Sequence, residues 1–253
     1  MNIKFGIIFS CLGSLLCNRF EKCGSLRSDS SSNLFAFQGS ADEDDIMAPW
    51  LAAVGTYTQK VFKDFQVSCS GVIVTRGIIV TAAHCFVAYI EANKTELIPT
   101  HVRVGANRID SRFSEDRKIK EYIVHPNYMF PAFYFDIALI LLEEDLIFSS
   151  RISPICLPET AQRHPVANSA ISVQGWGKDG DGSLGKKVSE ANVAIRSESE
   201  CDFKFRNAGF QLNDTVYTLM PHLSDDTTFC ADATISSQMG TCVGDSGGPA
   251  LQK

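Results

Sequence analysis

No basic tract runs through these 253 residues, in which 21% of side chains are charged and the formal net charge is −6. That balance offers no surface for neutralising phosphates, so nucleic acid is excluded as an expected partner and a solvated acidic surface is the plain reading. Apolar runs long enough to span a bilayer are lacking beyond the N-terminus, so no membrane contact is expected once that segment is removed. Repeats of solenoid length are absent, and the only compositionally biased stretch is a serine-rich lead-in. The nine cysteines form no CxxC blocks, so neither a zinc site nor another metal centre is expected.

What is present begins with MNIKFGIIFSCLGSLL, a lysine followed by a short apolar run, the layout of a secretory signal peptide over residues 1–18. Cys17 and Asn18 make a poor cleavage site, so a buried or anchoring helix stands as the other reading. Signal removal would place the chain in an oxidising compartment, where scattered cysteines are read as bridges. The sequons Asn93-Lys94-Thr95 and Asn213-Asp214-Thr215 fit secretion and mark Asn93 and Asn213 as candidate glycosylation sites.

Serine and acidic residues dominate the stretch before Ile46, which reads as a flexible lead-in, and the core begins near Pro49. From there short runs rich in Val, Ile, Thr and aromatics follow one another: WLAAVGTY, FQVSCSGVIV, GIIVTAAHC, HVRVGA, KIKEYIVH, DIALILL, AISVQGWG, KVSEANVAI, TTFCADA and GGPALQ. Gly, Asn, Asp and Pro punctuate the gaps, an all-β pattern. Helical character is confined to TAAHCFVAYIEA and SESECDFKFRNA. The Pro-rich loop SRISPICLPETAQRHPVANSA divides the strands into two groups, which predicts two β modules joined by a linker.

Three reactive side chains stand in unusual settings: His84 in TAAHC, Asp136 ahead of IALILL, and Ser246 in GDSGGP. Singly, each has a plain structural explanation as a buried histidine, a strand-capping carboxylate or a turn serine. A phosphate-cradling loop does not account for GDSGGP, because no lysine follows and no helix-forming segment lies behind it.

In their order and context, TAAHC, DIAL, GWG and GDSGGP, with HPNY and PICLP in support, resemble the trypsin-like serine proteases of chymotrypsin fold from about Pro49 to Lys253. The resemblance implies an all-β fold of two six-stranded Greek-key barrels, with a protease domain over 37–253 and a light-chain or pro-segment over 19–36. It implies a secreted, zymogen-type serine endopeptidase, a hydrolase acting through an acyl-enzyme. His84 would be the general base, Asp136 the carboxylate that orients it, and Ser246 the nucleophile, with the N–H groups of Gly244 and Ser246 as the oxyanion hole. No metal or organic cofactor is implied, because these groups carry the whole reaction. The implied partners are protein or peptide substrates, with protease inhibitors and cascade proteins beside them.

Bridges implied by the resemblance are Cys69 with Cys85, Cys201 with Cys230, and Cys156 with a light-chain cysteine, for which Cys23 is the candidate. Cys242 is left without its family partner. Further strands and a closing helix are called for after GGPALQ, so the second barrel is expected to be incomplete, and the chain as written poorly stable and nearly inactive. Gly240 falls at the base of the primary pocket and supplies no charge, which predicts small or apolar side chains at the cleavage site. Counting back from Pro49 and Trp50 puts the activation cut near Phe37, where Ala36 precedes it and Arg27 is the nearest basic residue upstream. A second class of function follows from that departure: a non-catalytic homologue acting as a binding or regulatory protein.

Overall fold

Alternation along the first strand decides how the molecule is layered. The structure, a computed structural model, describes residues 48–57, 64–131, 134–157, 166–178, 186–207, 228–233 and 243–252. Strand β1 (Leu51–Tyr57) reads LAAVGTY and is buried on both faces through its first five residues. Ala52 and Val54 point into one apolar cluster, while Leu51 and Ala53 join a second with Trp50, Trp176 and Val188. The period of two along a strand thus sorts one side chain into a barrel interior and the next into a seam with a second unit.

The barrel consists of β1, β2 (Phe65–Ile73), β3 (Ile78–Thr81), β4 (His101–Val104), β5 (Glu115–Val124) and β6 (Ala138–Leu142), closed in the order β1-β2-β3-β6-β5-β4. Every pairing is antiparallel, and closure removes the sheet edges. Strand β6 alternates Ala138, Ile140 and Leu142 inward, whereas β5, reading EDRKIKEYIV, exposes Lys118, Lys120 and Glu121 while Ile119 and Tyr122 pack against the core. Phe86, Ile73, Ile79 and Ile140 are fully buried, each stabilising by roughly 1.5–3 kcal/mol relative to exposure.

Helix α1 (His84–Glu91) leaves the end of β3 and buries Cys85 and Phe86 against this core. The second unit is, among the described residues, a four-stranded sheet of β7 (Ala170–Gly175), β8 (Ser189–Arg196), β9 (Cys230–Ala233) and β10 (Ala250–Leu251), in the order β10-β7-β8-β9. A helix, α2 (Glu198–Asn207), follows β8. One closed barrel beside an antiparallel sheet matches the expected all-β architecture. The N-terminal segments 1–18 and 19–36 lie outside the described residues.

Two disulfides pin the helices to the sheets. Cys69 on β2 is bonded to Cys85 on α1, and Cys201 on α2 to Cys230 on β9. Cys156 is also disulfide-bonded; Cys23, the expected partner, lies outside the described residues, as does Cys242. The units are also tied by Trp50, whose Nε1 donates to Gln174 Oε1 at 3.0 Å within the seam.

Candidate active site

Helix α1 begins where the backbone N–H groups of its first turn need partners, and a distant carboxylate supplies one. Asp136 Oδ1 accepts from the His84 backbone N–H at 2.8 Å, and its other oxygen, Oδ2, lies 2.6 Å from His84 Nδ1. A carboxylate there is favoured twice, by the orphan N–H and by the positive end of the helix dipole. The Asp136 side chain is 1% exposed and that of His84 26%, so the carboxylate sits dry behind an imidazole that reaches solvent.

Asp136 is delivered by the hairpin between β5 and β6. The feet of that hairpin are closed by the His125 N–H donating to the Ile137 carbonyl at 3.0 Å, and its tip by Met129 donating to Tyr134 at 3.2 Å. Within it, the rings of His125 and Phe135 stack with centroids 4.9 Å apart. The Tyr128 hydroxyl is buried with no hydrogen-bond partner among the described residues. Burial, and then the charge of Asp136, push its pKa well above the ordinary phenol value, so it stays neutral.

The segment carrying Ser246 is fastened to β2 and β3 just ahead of His84. The Ser70 N–H donates to the Ser246 carbonyl at 2.8 Å, and Ser70 Oγ to the Gly244 carbonyl at 2.9 Å. Thr81 Oγ1 in turn donates to the Ser70 carbonyl at 2.7 Å, and the Trp176 N–H to Ser70 Oγ at 2.9 Å. Gly247 has φ +83°, and a Cβ there would stand 2.3 Å from Thr81 Oγ1 and 2.9 Å from the Ala82 nitrogen, so only glycine fits. The residue after Ser246 therefore rests on the backbone that runs directly into His84.

Asp245, 6% exposed, turns the other way. Its Oδ1 accepts from the Gly177 N–H at 2.8 Å. A Cβ on Gly175 would come within 2.2 Å of that oxygen, and one on Gly177 within 2.6 Å of both carboxylate oxygens. The GWG run is glycine on either side of Trp176 because the Asp245 carboxylate occupies the space of two side chains.

Cys69, His84 and Cys85 present ligand atoms within 4.8 Å of one another. Both sulfurs are tied up in the Cys69–Cys85 disulfide, which leaves a single nitrogen donor and no basis for holding a metal. Of the other residues singled out in the sequence, Asn93 is exposed at the end of α1, Gly244 is buried, and Gly240 and Asn213 lie outside the described residues. Sequence reasoning passed over Ser70, which anchors the Ser246 segment through both its backbone and its hydroxyl. The run FQVSCSGVIV carries two hydroxyls, Ser68 and Ser70, and nothing local marks Ser70 as the one that is 0% exposed.

Comparison with known proteins gives the family and the fold. The Trypsin family model matches residues 38–253. Serine proteinase stubble of Drosophila melanogaster is 31% identical over 192 residues, covering 73% of this chain and 22% of that protein. The clotting factor G beta subunit of Tachypleus tridentatus is 28% identical over 211 residues, covering 80% of this chain and 61% of that one. The chain thus spans less than two thirds of the length of these curated relatives. A solved structure of neuropsin, a serine protease expressed in the limbic system of mouse brain, has the same fold, with a TM-score of 0.59, 23% identity, and coverage of 81% of this chain and 78% of that one. Helices are few, the barrel is closed and the family model spans most of the sequence: the chain belongs to the trypsin family of serine proteases.

Proposed function

We propose that this chain is a secreted serine endopeptidase in which Ser246, His84 and Asp136 hydrolyse peptide bonds. The observation that carries the reading is the double attachment of Asp136 to His84, set against a Ser246 segment fastened two residues upstream of the same helix. An ionised carboxylate only accepts, so Nδ1 must carry the ring proton and Nε2 keeps its lone pair for the serine. Ser246 Oγ then attacks the scissile carbonyl carbon while His84 takes its proton. The carbon–nitrogen bond breaks, and the amine leaves with that proton. Water, deprotonated by the same imidazole, attacks the acyl carbon, the bond from that carbon to Ser246 Oγ breaks, and Oγ takes the proton back from His84 as the acid is released.

The N–H groups of Gly244 and Ser246 hold the negative oxygen of both tetrahedral intermediates. Asp245, bonded to Gly177, fixes the turn that aims them. Protein substrates are the proposed targets, and inhibitors and cascade proteins the proposed partners, consistent with the clotting factor among the relatives. An uncharged pocket base at Gly240 favours small or apolar side chains before the cut, which a peptide substrate panel checks.

A fluorophosphonate probe tests the reading on the full chain, because it needs an activated serine and not sustained turnover. Covalent labelling that disappears in Ser246→Ala and His84→Ala supports the peptidase. A folded chain that takes up no label favours the non-catalytic, binding or regulatory homologue suggested by the missing basic residue before Phe37.

A further inference from the structure

The far end of α1, away from the chemistry, carries a second feature. Asn93 stands just beyond the helix with φ +53°, the left-handed conformation that asparagine tolerates better than other residues with a Cβ. Its N–H donates to the Ile90 carbonyl at 3.0 Å, and the next N–H, from Lys94, to the Tyr89 carbonyl at 2.8 Å. The backbone is thereby held, while the Asn93 carboxamide and the Thr95 hydroxyl make no hydrogen bond among the described residues. Residues 91–97 are all exposed. At the two ends of this stretch, Ile90 and Leu97 are 41% and 40% exposed, two large apolar side chains facing water within a few residues of one asparagine.

We propose that Asn93 is an N-glycosylation acceptor and that the first sugars of its glycan cover Ile90 and Leu97. The sequon Asn93-Lys94-Thr95 has no proline at its centre, and its acceptor amide is presented outward on a turn. In the transfer, Asn93 Nδ2 loses one hydrogen and bonds to C1 of the reducing sugar of a lipid diphosphate oligosaccharide. The lipid diphosphate leaves with the electron pair of the broken bond, and the proton passes to the transferase. The apolar faces of the sugar rings then lie over the two aliphatic side chains, shielding a patch that would otherwise attract other chains.

The proposal rests on the reading that the chain is secreted, and the experiment separates the two. The full chain is translated with microsomes under its own N-terminus, and again with residues 1–18 replaced by an established signal peptide. Protection from added protease reports entry, and a mobility shift removed by N-glycosidase reports the glycan. In the Asn213→Gln background, one glycosidase-sensitive shift is expected, lost in Asn93→Gln and Thr95→Ala and kept in Thr95→Ser. No protection under the native N-terminus, with protection and the shift under the replaced one, overturns secretion and leaves the site standing. Protection without the shift overturns the site. Glycosidase treatment is expected to raise binding of a hydrophobic dye, and Ile90→Ser with Leu97→Ser to abolish that rise; unchanged dye binding overturns the covering role.

Discussion

Asp136 and His84 are joined twice, side chain to side chain at 2.6 Å and side chain to backbone at 2.8 Å, although one stands in the connection between β5 and β6 and the other at the start of α1. The two bonds do different work. The backbone bond completes the first turn of α1 and is a matter of folding; the imidazole bond selects a tautomer and is a matter of chemistry.

That division predicts the behaviour of Asp136→Asn. The amide oxygen still accepts from the His84 N–H, so the helix start survives and the melting temperature changes little. The amide nitrogen now donates toward Nδ1, the ring takes the opposite tautomer, and Nε2 no longer accepts the serine proton. A fall of roughly 10⁴ in fluorophosphonate labelling rate or ester turnover is expected, the size such a change takes in triad chemistry. Labelling within tenfold of the parent chain would show that Asp136 is only a structural cap.

The contact between Asp245 and the GWG run predicts that Gly177→Ala is damaging at a distance. The added methyl would lie 2.4 Å from the carboxyl carbon, and the carboxylate must move or Gly177 must. Overpacking of this kind costs about 1–3 kcal/mol. Displacement also breaks the bond from the Gly177 N–H and frees the turn that carries the Gly244 and Ser246 amides. The expected result is a lowered melting temperature together with loss of labelling at Ser246, checked by thermal denaturation and intact mass after probe treatment. A variant that melts lower but labels normally would separate Asp245 from the site.

The positions of the strands along the chain were legible in the sequence because each leaves a local mark. Runs of β-branched residues between turn residues became β1 to β10, and GVIV and GIIV pair as a hairpin, with Val72 opposite Val80. His84, Asp136 and Ser246 each stood in a motif. What stayed hidden were relations between residues distant in the chain. The roles of Ser70, Gly175 and Gly177 depend on which strand lies beside which, and a buried serine looks locally like any other. Seam residues such as Trp50 and Trp176 read only as apolar, since periodicity shows that a face is buried but not what buries it.

On the outer face of the barrel, Arg103 holds Asp116 through two nitrogens, at 2.7 and 2.9 Å, while the Tyr57 hydroxyl also donates to that carboxylate. Burial pushes the Asp116 pKa up, but the Arg103 and Tyr57 hydrogen bonds and the Arg103 charge outweigh it and hold the carboxyl below its ordinary value. A folded-state pKa below the unfolded one of about 3.9 means stability that is complete above that pH and lost as pH falls through the folded value. Asp116→Asn is therefore expected to lower stability near neutral pH by about 1–3 kcal/mol, nearer the lower figure because the carboxylate side chain is 27% exposed. The difference from the parent chain should shrink on acidification below about pH 4, which paired denaturant melts at neutral and acid pH would measure. A difference independent of pH would mean that packing, and not charge, holds the three strands there.

Tyr128 makes the opposite prediction, because its hydroxyl is buried with no hydrogen-bond partner among the described residues while its ring packs against the barrel core. A buried polar group without a partner costs about 1–3 kcal/mol in desolvation, and removing it leaves the apolar contacts in place. Tyr128→Phe is thus expected to hold or raise stability, by about 1 kcal/mol at most, where most substitutions next to a reactive cluster lower it. The phenol stays neutral through the working pH range, so its loss removes no charge beside Asp136, and labelling at Ser246 should stay within about twofold of the parent rate. Denaturant titration with labelling kinetics on the same preparation checks both halves. A loss of stability together with slower labelling would mean that the hydroxyl reaches Asp136 through a bridging water, making Tyr128 a positioning residue for the carboxylate and not a packing residue beside it.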